Sequence, residues 1–172
     1  MDKIRKILAP TDLSELSRVG LRRALEIAQS QQAEVIAYHV IGYDEFAPEG
    51  LAFDNYLPAR LDFRPFPAMV EERKRLLAKF LRENFADLVS KVKLRQEVEV
   101  GIPYKSILEK SVEEGVDMIV LSTHGRTGLL HILIGSVTEK VVRLAICPVL
   151  SIRPISGAKL AEAAARMRDP GA

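Results

Sequence analysis

Between Val120 and Ser136 the chain reads Val-Leu-Ser-Thr-His-Gly-Arg-Thr-Gly-Leu-Leu-His-Ile-Leu-Ile-Gly-Ser, and no other stretch constrains the fold as much. It opens within Met118-Ile-Val-Leu121, a short apolar run without polar alternation, as expected of a strand covered on both faces. Gly125 and Gly128 let the backbone turn and approach a ligand closely. Gly135 then leads into Ser136-Val-Thr-Glu139, which fits a Ser-x-x-Glu capping box and predicts a helix from Ser136 to Ala145. The free N–H groups and positive dipole end of that helix suit an anion. The plainer reading is a tight strand-to-helix connection whose glycines serve only chain geometry.

The rest of the chain repeats the alternation of strand and helix. Ile4 to Ala9 predicts a first strand, and Pro10-Thr-Asp-Leu-Ser14 turns out of it. Asp12 with Glu15, or Ser14 with Ser17, offers a cap for a helix that runs to about Gln31. Leu16, Gly20, Ala24, Ile27 and Ala28 recur at helical spacing, and the small Gly20 and Ala24 would let this helix lie close on a sheet. Ala33 to Val40 is a second strand, so the first unit is a right-handed parallel crossover. From Gly42 to Pro67 the pattern fails. That segment holds four of the nine prolines and six of the ten aromatic residues, which argues against simple disorder. It reads as a cover over the sheet edge or a second subunit, or as a lid over a ligand.

Ala68 to Val89 is the longest predicted helix, with Leu77, Phe80, Leu81, Phe85 and Leu88 on its apolar face. Lys91 to Val100 alternates apolar and charged residues, which marks a strand with a wet face or an edge position. Pro103 opens a helix that stops at Gly115. After the strand Met118–Leu121, the glycine loop and the Ser136 helix, Cys147 to Pro154 is a last strand, bracketed by prolines as an edge strand tolerates. This order predicts an α/β three-layer sandwich around a mostly parallel five-stranded sheet, one domain over residues 1–154, with residues 155–172 as an alanine-rich tail.

Composition narrows the function. The chain has 172 residues, 48% of them hydrophobic, and 25 basic against 23 acidic residues. That balance supplies no electrostatic reason for nucleic acid or membrane partners. No run approaches the length of a membrane span, and the N-terminus lacks the apolar core of a signal peptide. The single cysteine, Cys147, excludes an internal disulfide and suits a reducing, cytoplasmic setting. Cys147 reads as a small apolar residue and His39 as a hydrogen-bonded core residue. His124 and His131 have no zinc spacing, and no nucleophile elbow is present.

The loop fits neither the Walker pattern nor the dinucleotide fingerprint. Its spacing, Ser122-x2-Gly125-x9-Gly135-Ser136, resembles the nucleotide-binding loop of the universal stress protein family, whose ATP-binding members have glycine where this chain has Ser122. The flanks, Ser-Thr-His-Gly-Arg-Thr-Gly and Cys-Pro-Val-Leu, extend the resemblance over about residues 3 to 153. The resemblance implies a Rossmann-like, adenine nucleotide alpha hydrolase-like fold with strand order 3-2-1-4-5. Ligands of such sheets lie beyond the carboxyl ends of the strands where the order reverses, here between the first and fourth.

Carried over residue by residue, the resemblance implies these roles. Pro10, Thr11 and Asp12 form a first nucleotide segment, with the Asp12 carboxylate at the ribose or at a phosphate-bound metal. Val40 borders adenine. Leu121 and Ser122 end the fourth strand at the ligand. Gly125 and Gly135 fold the loop around phosphates, with Arg126 adding charge. Ser136, Val137 and Thr138 offer amides and hydroxyls. The implied ligand is ATP with magnesium, and the implied assembly is a homodimer through the last strand, with Leu150 and Ile152 for contact, read by a protein partner. The implied function is that of a nucleotide-dependent regulator of a stress response. Two alternatives stand beside it. One is an interaction module without nucleotide, favoured by Ser122 if its hydroxymethyl group fills the pocket. The other is a slow ATP hydrolase or phosphotransfer enzyme, for which the sequence offers no identifiable general base.

Overall fold

The computed structural model describes residues 3–46, 66–124 and 134–154. Five strands, β1 (Lys6–Pro10), β2 (Glu34–Gly42), β3 (Lys93–Gly101), β4 (Met118–Ser122) and β5 (Val149–Ile152), form one sheet in the order β3-β2-β1-β4-β5. Every neighbouring pair is parallel. The helices are α1 (Arg18–Gln31), α2 (Phe66–Val89), α3 (Pro103–Glu113) and α4 (Ser136–Leu144). The strand order and the two edge positions are those expected above.

Strand alternation sorts the core into two layers. Ile7, Ala9, Val35, Ala37 and Val120 meet Leu21, Ala24 and Leu25 of α1 and Leu77, Leu81 and Phe85 of α2. Leu8, Ile36, Tyr38, Ile119 and Leu121 face the other way, against Ile107 of α3 and Val141 of α4. Both faces of the sheet are therefore covered, which is why the central strands lack polar alternation. Helix α1 lies very close to the sheet at Gly20: a Cβ there would stand 2.6 Å from the backbone of Leu121 and Ser122. Helix α2 carries its predicted apolar face inward and departs from helical geometry at Phe85, whose ring meets Phe80 edge-on at 5.9 Å.

Strands β1, β3 and β5 and the end of α4 differ from the sequence expectation by one or two residues, and other boundaries differ for local reasons. Helix α1 begins at Arg18, and neither Asp12 nor Ser14 caps it. Instead the Asp12 carboxylate accepts the Ser14 N–H at 3.0 Å and the Ser14 hydroxyl accepts the Ser17 N–H at 3.2 Å, so these side chains stabilise a turn before the helix. The capping box expected at Ser136 does not form. Gly135 is the N-cap, its carbonyl accepts the Glu139 N–H at 2.9 Å, and Ser136 is already helical. Glu139 pairs with Arg143 at 3.6 Å. Strand β2 extends to Gly42 and is followed by a 3-10 turn at Tyr43–Phe46, while α2 starts at Phe66. The rest of the 42–67 segment and the C-terminal tail lie outside the described residues.

The alternating strand β3 keeps its charged row, but an ion layer covers it. Arg95 and Lys6 both reach Glu114, and Lys110 of α3 reaches Glu97 and Glu113 at 3.2 and 3.0 Å. Hydrogen bonds from Arg95 and Lys6 hold the Glu114 carboxyl down at about 2. A carboxylate depressed on folding contributes stability that is complete above about pH 4.5 and disappears as pH falls toward 2. Glu114→Gln is therefore expected to lower the urea midpoint at pH 7, with the difference from wild type shrinking through that acid window.

Candidate functional site

The strand order reverses at β1, so the loops after β1 and β4 diverge to opposite faces and leave a crevice at their carboxyl ends. A cavity of about 290 Å³ lies there. Its lining includes Pro10, Thr11 and Asp12 after β1, Val40 on β2, Leu121 and Ser122 on β4, and Gly135, Ser136, Val137 and Thr138 at the start of α4. Ten sequence-selected residues thus share one cavity, although they come from four separate segments. Gly125 and Arg126 lie outside the described residues.

The β1 loop is held from several sides. The Thr11 N–H donates to the Tyr38 carbonyl and buried His39 donates its Nδ1–H to the Thr11 carbonyl, each at 2.8 Å. Ser17 gives its hydroxyl hydrogen to the Ser14 carbonyl, so Thr11 is the donor in the 2.8 Å Thr11–Ser17 contact. The Thr11 oxygen in turn accepts the Leu13 N–H at 3.1 Å. Leu13 takes a left-handed φ of 62°, a conformation that a non-glycine residue holds only when its surroundings fix it. The loop is thus fixed by bonds within the chain, and the Thr11 hydroxyl is committed to them.

The opposite wall is fixed through β4. The Thr138 hydroxyl donates to the Ser122 carbonyl at 2.8 Å, and the Gly135 N–H donates to the Thr123 carbonyl at 2.7 Å. A Cβ on Gly135 would stand 3.1 Å from that same carbonyl. These bonds bring the first turn of α4 to the cavity, where helix geometry leaves its leading N–H groups without intrahelical acceptors. The Thr123 hydroxyl and His124 Nδ1 are 2.8 Å apart, and both residues are buried.

The Ser122 side chain does not share the orientation of Leu121. Alternation along β4 turns Ser122 to the α1 layer with Val120, and its hydroxyl accepts the Gly20 N–H at 3.0 Å. Leu121 turns to the layer of Tyr38, Val40 and Ile107.

Sequence reasoning did not select Ser17, Tyr38, Gly42, Glu45, Pro103, Ile107, Thr123 or His124, which complete the lining. Tyr38 was readable in principle, since it precedes Val40 by two on one strand face. Pro103 and Ile107 begin the helix after β3 and enter only through the sheet order. Glu45 enters through the 3-10 turn and pairs with Arg73 of α2. Burial, with Glu99 beside it, pushes the Tyr38 hydroxyl above its usual range, so it remains a donor. Burial also pushes the Cys147 thiol up, which opposes a thiolate role.

Two kinds of group line the cavity. Val40, Pro103, Ile107, Leu121 and Val137 give an apolar wall suited to a flat ring. Asp12 and the α4 terminus give polar groups suited to hydroxyls and an anion. Removing the Thr138 hydroxyl leaves a buried carbonyl without that donor. Thr138→Val is expected to cost about 1–3 kcal/mol in urea unfolding, and Thr138→Ser, which keeps the hydroxyl, less.

Comparison with known proteins follows the same outline. A family model described as the Universal stress protein family matches residues 3–153. Universal stress protein MJ0577 of Methanocaldococcus jannaschii is 33% identical over 156 residues, covering 87% of this chain and 94% of that protein. The solved structure of hypothetical protein MJ0577 superposes with a TM-score of 0.70 at 30% identity, covering 91% of this chain and 100% of the other. A universal stress protein in complex with cAMP superposes with a TM-score of 0.54, covering 88% and 98% of the two chains; at 20% identity it shares the fold.

Proposed function

Given that this chain belongs to the universal stress protein family, we propose that its cavity binds ATP and that the protein acts as a nucleotide-dependent regulator. The observation that carries the reading is the meeting of Asp12, the apolar wall and the amino end of α4 in one cavity where strand order reverses. Adenine fits the wall at Val40 and Leu121, ribose hydroxyls fit Asp12, and phosphates fit the Ser136–Thr138 turn. The near contact at Gly135 supports the fit, because the loop returns to Thr123 at a distance that leaves little room for a side chain. The neighbour in complex with cAMP holds an adenine nucleotide on the same fold.

Magnesium bound to the triphosphate would neutralise part of its charge, with Asp12 as a carboxylate of the cavity lining. Among the described residues no group of three or more His, Cys, Asp or Glu is placed to hold a metal ion, so the cation enters this reading with its nucleotide. Gly125 and Arg126 would complete the loop around the phosphates. The proposed role is binding rather than turnover.

The assembly proposed is a homodimer through β5. This strand is a sheet edge, and parallel edges seek pairing or cover. Leu150 and Ile152 pack partly against the α1 layer, whereas Val142, Leu144 and Ile146 nearby are exposed at 47%, 53% and 83%. Those three apolar side chains would extend the interface. A protein partner would read the nucleotide-dependent surface.

Calorimetric titration of nucleotide-stripped protein with magnesium–ATP tests the binding. Saturable binding is expected, weakened about tenfold or more, ~1.4 kcal/mol or above, in a folded Gly135→Val variant. No heat at millimolar ATP would overturn the reading, and chromatography of the nucleotide afterwards would reveal slow hydrolysis. For the dimer, light scattering should give twice the chain mass for wild type and the single mass for Ile146→Asp; a wild-type monomer would reject the interface.

A further inference from the structure

We infer that Ser122 is a positioning residue that links the start of α1 to the start of α4, and that its side chain does not obstruct the cavity. The reason lies in two bonds from one residue. Its hydroxyl accepts the Gly20 N–H at 3.0 Å, and its carbonyl accepts the Thr138 hydroxyl at 2.8 Å. Gly20 is the third residue of α1, and N–H groups of a first turn have no intrahelical acceptor. The residue at the N-cap position, Ser17, makes no side-chain capping bond. Ser122, distant in sequence, therefore does for α1 what a local capping side chain ordinarily does.

The fit is mutual. Gly20 comes close enough for this bond because it has no Cβ: one would sit 2.6 Å from the Ser122 nitrogen. The serine hydroxymethyl group occupies the α1 side of the sheet, while the apolar wall of the cavity is built on the other side by Leu121 and its neighbours. A glycine at 122 would leave the Gly20 N–H without this acceptor, while its carbonyl would still accept the Thr138 hydroxyl. Ligand contact at the α4 turn is then felt at Gly20, and by linkage a change at Gly20 alters affinity at the turn. This last step rests on the nucleotide reading; the tie between α1 and β4 does not.

The experiment is amide hydrogen exchange resolved at Gly20, in wild type, Ser122→Ala and Ser122→Gly, each without and with magnesium–ATP, together with titration of each. Without nucleotide, both variants are expected to exchange Gly20 faster by on the order of tenfold, as loss of one buried hydrogen bond implies. With nucleotide, Gly20 of wild type is expected to gain protection that Ser122→Ala lacks, and Ser122→Gly is expected to bind no more tightly than wild type. Unchanged Gly20 exchange in Ser122→Ala would overturn the tie. Tighter ATP binding by Ser122→Gly would show that the hydroxymethyl group obstructs the site and overturn the second half. Should wild type bind no ATP, the nucleotide reading falls alone, and exchange without ligand still decides on the tie.

Discussion

The closeness of α1 to the end of β4 underlies the rest of the architecture. At Gly20 the helix backbone rests on the strand backbone with no side chain between. That contact fixes the height of α1 above the sheet, and with it the Thr11–Ser17 turn that forms one wall of the cavity. The other wall is suspended from Ser122 and from Thr123, the residue after the strand. Ser122 holds Thr138, and Thr123 holds Gly135 while its own N–H donates to Ile152 of β5 at 2.9 Å. Leu121, Ser122 and Thr123 thus hold α1, α4 and the sheet edge in register. The cavity is a product of backbone geometry first and of side-chain chemistry second.

Much of this was legible in the chain because parallel α/β sheets write strong signals. Continuous apolar strands announced burial on both faces, the alternating strand announced β3 at an edge, and Pro148 and Pro154 announced β5 at the other. The strand order itself came through the resemblance, since periodicity carries no information about which strands neighbour each other. The turn before α1 was misread because Asp12 and Ser14 have the chemistry of helix caps, and the same chemistry closes side-chain turns. The choice between the two depends on Leu13 entering a left-handed conformation, which leucine does not advertise. Likewise Ser136 with Glu139 has the letters of a capping box, but the extended backbone of Gly135 moves the cap one residue earlier. For the cavity, motif-bearing residues were found and register-dependent ones were not: Tyr38, Pro103 and Ile107 reach it only after the sheet is assembled.

The two faces of the sheet solve the covering problem differently. Beneath α1 and α2 the layer is largely apolar, with Arg18 and Arg22 laid over Phe80 and Phe85 at its margin. On the α3 side the apolar layer ends before the sheet does, and charged residues of β3 meet Lys110 and Glu114 instead. Covered ion pairs need several partners to offset their desolvation, and Glu34, Glu97 and Glu114 each have two. The arrangement blunts an edge strand that would otherwise offer itself to another chain.

Glu45, near the start of the 42–67 segment, and Arg73, beyond its end, form an ion pair 28 positions apart. Their contact closes a loop of chain at its base, independently of what the intervening residues do. The entropy of closing such a loop grows only with the logarithm of its length, about 0.6 kcal/mol for each doubling. Homologous chains could therefore gain or lose residues inside that base at small thermodynamic cost, so that natural length variation, or a grafted peptide, would leave the sheet and its cavity as they are.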